Sequence, residues 1–241
     1  MNRKTEKVRF HFVRKWAIAG ALLTYKLFIN GEFVGSLKNG KTLDVDVPKS
    51  DYYYIDEMWA PDQRNGVIRA SDLKDSNQIF VEIRRAGGLR TDSYNEFYIR
   101  ENDVYVNLPS FDYTRYYQAC YDDILFSELT EQERILTLGL GFFNEVSDGA
   151  DEVLYNERLL EMLDALQHIG AMHYLNAFTS VMKHVYDGIT LPLNDEIPES
   201  KDIQKRLAEA NKIVWESEKD NRSAEEFHKC IVAYITEHFL R

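Results

Sequence analysis

Residues 130–186 read TEQERILTLGLGFFNEVSDGADEVLYNERLLEMLDALQHIGAMHYLNAFTSVMKHVY, and their periodicity decides the architecture. Thr130 with Glu133 three residues on fits a capping box, so a helix is expected to start near Glu131. Ile135 to Phe143 is apolar or glycine almost throughout, the pattern of a helix buried on every side. Leu136, Leu138, Leu140 and Phe142 also alternate with Thr137, Gly139 and Gly141, so a strand stays open on periodicity alone. Each glycine costs a helix about 1 kcal/mol against alanine. A helix that keeps both would use them to let a neighbour approach closely. Gly149 then breaks an acidic turn.

A second helix is expected from about 156 to 168. Leu159, Leu160, Leu163 and Leu166 form one face, with Glu157, Arg158, Glu161 and Asp164 on the other. Gly170 stands where a left-handed cap is needed. Leu175, Phe178, Val181, Met182 and Val185 space a third helix that ends at Gly188. Beyond a proline-containing loop to Ser200, a fourth helix buries Ile203, Leu207, Ala210 and Val214. Ser223 and Glu226 suggest a second capping box before a last helix with Phe227, Ile231, Tyr234, Ile235 and Phe239 inside.

Upstream the apolar period is two. Val8, Phe10 and Phe12 mark a first strand. Residues 25–29 and 33–37 flank Asn30-Gly31, a strong hairpin signal because both turn residues must take positive φ. Asn39-Gly40 repeats that signal before residues 43–47. Tyr52, Tyr53 and Tyr54 read as alternate packing on two sheet faces, with a stacking platform for a sugar or base as the rival. Further strands are expected at 78–83, 96–99 and 104–108. Arg84, Arg85 and Arg90 around Gly87-Gly88 suggest a small anion site or a solvated hairpin tip. Between the two patterns, 109–128 is rich in rings: Phe111, Tyr113, Tyr116, Tyr117, Tyr121 and Phe126. The expected class is α+β in two domains. An antiparallel β-sandwich spans 1–108, an aromatic junction 109–128 and an all-helical acidic domain 129–241.

Charge is unevenly spread. Residues 121–241 hold 24 Asp and Glu against 11 Lys and Arg, net -13, while residues 1–120 hold 16 against 18, net +2. Residues 121–164 alone carry twelve carboxylates against Arg134 and Arg158. This argues against direct nucleic-acid binding by the helical half, since phosphate contacts need positive charge. Cys120 and Cys230 have neither disulfide nor metal spacing, which points to a reducing cytoplasm. The apolar run Trp16 to Leu23 is too short to span a membrane, and no membrane partner is expected. The fifteen residues before it are basic, so a signal-like reading stays open. No HExxH, GxSxG, phosphate-binding glycine loop or CxxC occurs, so no enzyme, metal or cofactor is expected. Cys230 reads as an inert thiol, and His228 and His238 as surface or half-buried polar residues.

The second half resembles the DNA-mimic protein family, on Glu145, Gly149, Tyr155, Asn156, Ala165, Leu166, Ile169, Gly170 and Ala171. Ser147, Asp148 and Ala150 stand where that family has Asn, Gly and Phe. Residues 25–47 resemble the small PEGA-type β-sandwich, whose Ile-Asn-Gly-x-x-Val-Gly hairpin matches Ile29 to Gly35. The first resemblance implies that Gly149, Tyr155, Asn156, Ile169 and Gly170 are structural. It also implies a basic partner, a DNA-binding protein, for the face carrying Glu128, Glu131, Asp148, Asp151, Glu152, Glu157, Glu161 and Asp164. The alternative is an accessory module that takes a ligand or peptide on the β domain or in an interdomain groove.

Overall fold

The computed structural model describes residues 6–18, 22–57, 65–73, 77–86, 94–193, 201–217 and 222–241. The chain divides between Tyr113 and Thr114 into a β unit, which also takes in residues 240–241, and a helical unit. The β unit contains β1 (Lys7–Arg14), β2 (Thr24–Ile29), β3 (Glu32–Lys38), β4 (Thr42–Pro48) and β5 (Tyr52–Glu57). It continues through β6 (Gly66–Arg69), β7 (Gln78–Ala86), β8 (Tyr94–Glu101) and β9 (Val104–Asn107). One sheet has the order β4-β1-β7-β8-β9 and the other β3-β2-β5-β6.

Strand alternation builds the core. Val8, Phe10 and Phe12 of β1, Ile79, Val81 and Ile83 of β7, and Phe97 and Ile99 of β8 line one sheet's inner face. They meet Tyr25, Leu27 and Ile29 of β2, Tyr53 and Ile55 of β5, and Ile68 of β6 in one cluster. On the outer face Arg9 pairs bidentately with Asp46 at 2.7 and 2.9 Å, and His11 Nδ1 lies 2.9 Å from Asp44. The Arg9–Asp46 charge pair, directly across an antiparallel ladder, supports that register. Tyr54, on the other face of β5 from Tyr53, is buried with its hydroxyl 2.5 Å from that of Tyr113.

Three features depart from simple reading. The sandwich is not wholly antiparallel, because β1 and β7 pair in parallel. The chain leaves the first sheet after β4, builds β5 and β6 in the second, and returns beside β1 in β1's direction. Asn30 (φ 52°) and Gly31 (φ 74°) form the expected hairpin turn. Asn39-Gly40 does not form a second one. It joins β3 to β4, which lie in different sheets, and the Asn39 side chain bonds Ala17 instead. A hairpin between β8 and β9 turns on Asn102 (φ 47°) and Asp103 (φ 66°), where no glycine signals it.

The helical unit contains α1 (Thr114–Cys120), α2 (Asp123–Ser127), α3 (Glu131–Asp148), α4 (Ala150–Tyr155), α5 (Leu159–Ile169), α6 (Met172–His184), α7 (Lys201–Ser217) and α8 (Arg222–His238). Residues 114–128 belong to this unit. Asp122 caps α2 by accepting from the amides of Ile124 and Leu125. The capping box at Thr130 and Glu133 is formed, and α3 continues through the stretch that also fitted a strand. Every residue from Leu136 to Phe143 is buried. Phe142 meets Phe178 and Tyr174 edge-on, and Phe143 stacks on Phe227 at 4.7 Å.

Local signals end α3 and α5, whereas α6 ends at His184, four residues short of Gly188. Gly149 adopts φ 150° between α3 and α4, a conformation essentially closed to other residues. Gly170 (φ 88°) closes α5 in a Schellman motif, with Gly170 N donating to Gln167 O and Ala171 N to Leu166 O. Ser223 makes no capping box. It lies inside α8, buried, and its hydroxyl donates to Ser217 O. His228, expected at or near the surface, is buried.

Gly139 and Gly141 serve close packing. A Cβ on Gly139 would sit 2.4 Å from Ile169 Cδ1, and one on Gly141 3.2 Å from Cys120 Sγ. Gly139→Ala should therefore lower stability by about 1 kcal/mol, overpacking outweighing the gain in helix propensity. Ile169→Val removes the obstructing methyl, so the double variant should lose less than the two singles together, by about 1 kcal/mol. Denaturant unfolding of all four proteins measures this, and strict additivity would refute the contact.

Candidate functional site

The expected acidic face is divided by α3. Glu131 and Asp148 lie at opposite ends of that helix, about 25 Å apart along its axis at about 1.5 Å per residue. Glu128, just after α2, belongs with Glu131 at the first end. Asp151 turns to α7, where Asn211 Nδ2 donates to it and Asn211 Oδ1 accepts from Ala150 N. Asp164 lies further along α5 beside His168, 3.5 Å away.

Asp148, Glu152, Glu157 and Glu161 lie in the same part of the helical unit as three carboxylates outside the expected face: Asp122, Asp123 and Glu145. The contacts that join them run through Tyr121, Asn156 and Arg158. Asn144 Nδ2 donates to the Tyr121 hydroxyl at 2.7 Å, and the charge of Asp148 helps raise the pKa of that tyrosine, behind burial as the main cause. Arg158 pairs with Asp123 and lies 3.5 Å from Glu161, with its guanidinium 3.8 Å above the Phe126 ring. Arg158 thus meets two of these carboxylates directly, while Glu145 is held by Asn156 and Asp122 caps α2. Asp148, Glu152 and Glu157 are exposed and make no side-chain hydrogen bond or ion pair with the described residues.

Asn156 is the structural hub of this corner. Its Oδ1 accepts from Arg158 N at 2.7 Å and its Nδ2 donates to Glu145 Oε1 at 2.5 Å. Burial raises the pKa of Glu145; the Asn156 bond opposes this and Glu152 adds to it. Tyr155 is half-buried at the end of α4.

A second polar cluster escaped the sequence reading. Continuing each inward period by one step reaches Arg14 on β1, Arg85 on β7, Asn95 on β8, Tyr25 on β2 and Glu57 on β5. They close one end of the β core. Arg14 lies 3.5 Å over the Tyr25 ring, Arg85 Nη1 donates to the Tyr25 hydroxyl, and Asn95 Nδ2 donates to Glu57 Oε1. Glu57 is 5% exposed and Asn95 1%, yet Glu57 Oε2 and Asn95 Oδ1 have no partner among the described residues. Burial pushes the Glu57 carboxyl up to about 7; Asn95, Arg85 and Arg14 pull it down and Asp56 adds a small push upward. Protonation turns Oε2 into a donor, which is what Asn95 Oδ1 lacks. Of the arginine cluster read beforehand, Arg84 instead pairs with Glu82 at 2.6 Å, while Gly87, Gly88 and Arg90 lie outside the described residues.

The thiols have inert settings. Cys120 donates to Tyr116 O and Thr137 O, and burial pushes its pKa up to about 12. Cys230 donates to Gly170 O and is also raised, chiefly by burial. Among the described residues, no group of three His, Cys, Asp or Glu is placed to hold a metal ion.

Two outcomes are expected. Asn156→Ala should lower stability by about 1–2 kcal/mol, since it removes a turn acceptor and leaves Glu145 without its donor. Denaturant unfolding checks this, and an unchanged midpoint would make the hub dispensable. For Glu57, the folded chain holds a proton that the unfolded chain gives up near 4.5. Stability should therefore fall as pH rises from about 4.5 to about 7, by up to about 3 kcal/mol. Glu57→Gln, which keeps the shape of the protonated acid, should flatten melting temperature against pH and melt higher than the parent at pH 8. An unchanged pH profile would remove Glu57 from this role.

No family model matches the chain, and no curated protein or solved structure is similar to it, so its functional reading rests on the residues and geometry described above.

Proposed function

We propose that this chain is a non-enzymatic interaction protein whose helical unit presents an acidic corner to a basic protein. The observation that carries this reading is the excess of carboxylates over residues 121–164, with Asp148, Glu152 and Glu157 exposed and without a cation partner among the described residues. Arginine and lysine clusters respond to the charge and spacing of oxygen acceptors, so carboxylates serve where phosphates would. The resemblance of residues 129–241 to the DNA-mimic family makes a DNA-binding protein the favoured partner. The same charge keeps the helical unit off nucleic acid itself. A cytoplasmic setting suits two cysteines that both carry free thiols.

A second reading, an accessory module whose β unit takes a small ligand, is favoured by the polar layer at Glu57. When Glu57 is ionised, its Oε2 and Asn95 Oδ1 are acceptors without a donor among the described residues, which suits a ligand with two hydrogen-bond donors. The readings separate by which unit a partner needs.

A partner recovered from the source cytosol tests the first reading. Attraction of this kind is screened beyond about 8 Å at physiological salt. Replacing Asp148, Glu152, Glu157 and Glu161 by Lys should slow association by about 10- to 1000-fold and leave the melting curve nearly unchanged. Raising salt should slow the parent in the same direction. The parent should displace DNA from that partner and the charge-reversed chain should not. A partner that binds both forms equally, or binds the β unit alone, refutes the acidic corner and favours the accessory module.

A further inference from the structure

Trp16, Ile18, Leu22 and Leu23, between β1 and β2, expose large apolar side chains, with two exposed lysines beside Trp16. Trp16 is 67% exposed, Ile18 71%, Leu22 99% and Leu23 53%. Exposed apolar side chains are ordinary when scattered, and informative when four large ones fall within eight residues. Both ends of this segment are anchored. Ala17, between Trp16 and Ile18, donates to Asn39 Oδ1 at 3.1 Å and accepts from Asn39 Nδ2 at 2.9 Å. This two-bond clasp fixes the backbone that carries the two exposed side chains. Trp16 lies against Gly40, where an added Cβ would be 3.5 Å from Trp16 Cδ1. At the far end Arg14 Nη1 donates to Leu23 O at 2.6 Å.

The turn beneath Trp16 is Lys38-Asn39-Gly40-Lys41, closed by a bond from Lys41 N to Lys38 O. Lys38 and Lys41 are exposed and make no ion pair with the described residues. Lys15 adds a third exposed cation, held by Glu82 at 3.1 Å. Of the neighbouring cations Arg14 is buried and Lys15 is paired with Glu82, so the exposed positive charge beside Trp16 is that of Lys38 and Lys41.

We propose that Trp16 and Ile18, flanked by Lys38 and Lys41, dock this chain on an anionic lipid surface. Tryptophan favours the interface between headgroup and acyl chain, aliphatic side chains favour the acyl region, and lysines beside them meet the anionic headgroups. A nucleic acid would answer the lysines but offer nothing to Ile18, Leu22 and Leu23. A second copy would answer the apolar tip but bring Lys38 and Lys41 against their own like charges, because a two-fold contact pairs each patch with itself. Spanning is not needed, and no helix among the described residues is long and apolar enough to span. This inference concerns the β unit and stands apart from the acidic corner.

Co-sedimentation of the full chain with phosphatidylcholine vesicles, with and without phosphatidylserine, tests it. Despite the net negative charge, the chain should pellet about tenfold more with the anionic vesicles, and high salt should weaken this. Ile18→Asp should bring pelleting to the level of neutral vesicles. Lys38→Glu with Lys41→Glu should do the same while leaving the apolar tip intact, and it decides the matter if Ile18→Asp does not fold. Equal pelleting with both vesicle types, or Ile18→Asp and the lysine double variant both pelleting like the parent, would overturn the proposal. So would a dimer in sedimentation equilibrium that Ile18→Asp abolishes while no vesicles are bound, which would assign the tip to a second copy.

Discussion

The burial of α3 on all sides governs the helical unit. From Leu136 to Phe143 no side of the helix meets water, so its charges can stand only near its ends. That constraint divides the carboxylates into a set near Glu131 and a set near Asp148. It also requires close neighbours, and Gly139 and Gly141 supply the room by presenting no side chain to Ile169, Cys120 and Met162. The approach of α5 then brings Arg158 over Phe126 and beside Asp123, which assembles the acidic corner. A buried apolar helix is thus the reason that an exposed polar site exists where it does.

The β unit reaches polarity by another route. Its inward positions are apolar through the middle of the core and become Arg14, Tyr25, Glu57, Arg85 and Asn95 at one end. Burying a carboxyl costs several kcal/mol when it is ionised and unpaired, and much less when it carries a proton. Two arginines and one amide reduce that cost without removing it, which leaves Glu57 titrating near 7. Arg14 serves twice, stacking on Tyr25 in this layer and holding the Leu23 carbonyl at the base of the exposed loop.

The two units also differ in the charge they present. The helical unit concentrates carboxylates, whereas the segment around Trp16 concentrates lysines among exposed apolar side chains. The two proposed partners, a basic protein and an anionic lipid surface, differ in charge accordingly.

Much of this architecture follows from local rules that a linear chain expresses. Period two before Leu108 and period 3.6 after Thr130 set the two classes of structure. The capping box at Thr130, the turn at Asn30-Gly31 and the cap at Gly170 act where they were expected, because each depends on residues within one turn of chain. Tertiary structure decided what depends on distant partners. α4 is six residues long, too short to be stable alone, and it exists beside an amide capped by Asn211, 61 residues away. β3 and β4 separate into different sheets at Asn39-Gly40 because β4 pairs with β1, distant in the chain, along its whole length. The acidic residues were legible as a list, but not the inward turn of Asp151 or the 25 Å division along α3. Glu57 was hidden because alternation marks a position as inward without saying which strand ends meet. Five such ends, each polar for no visible local reason, became one layer only when two sheets closed over a common core.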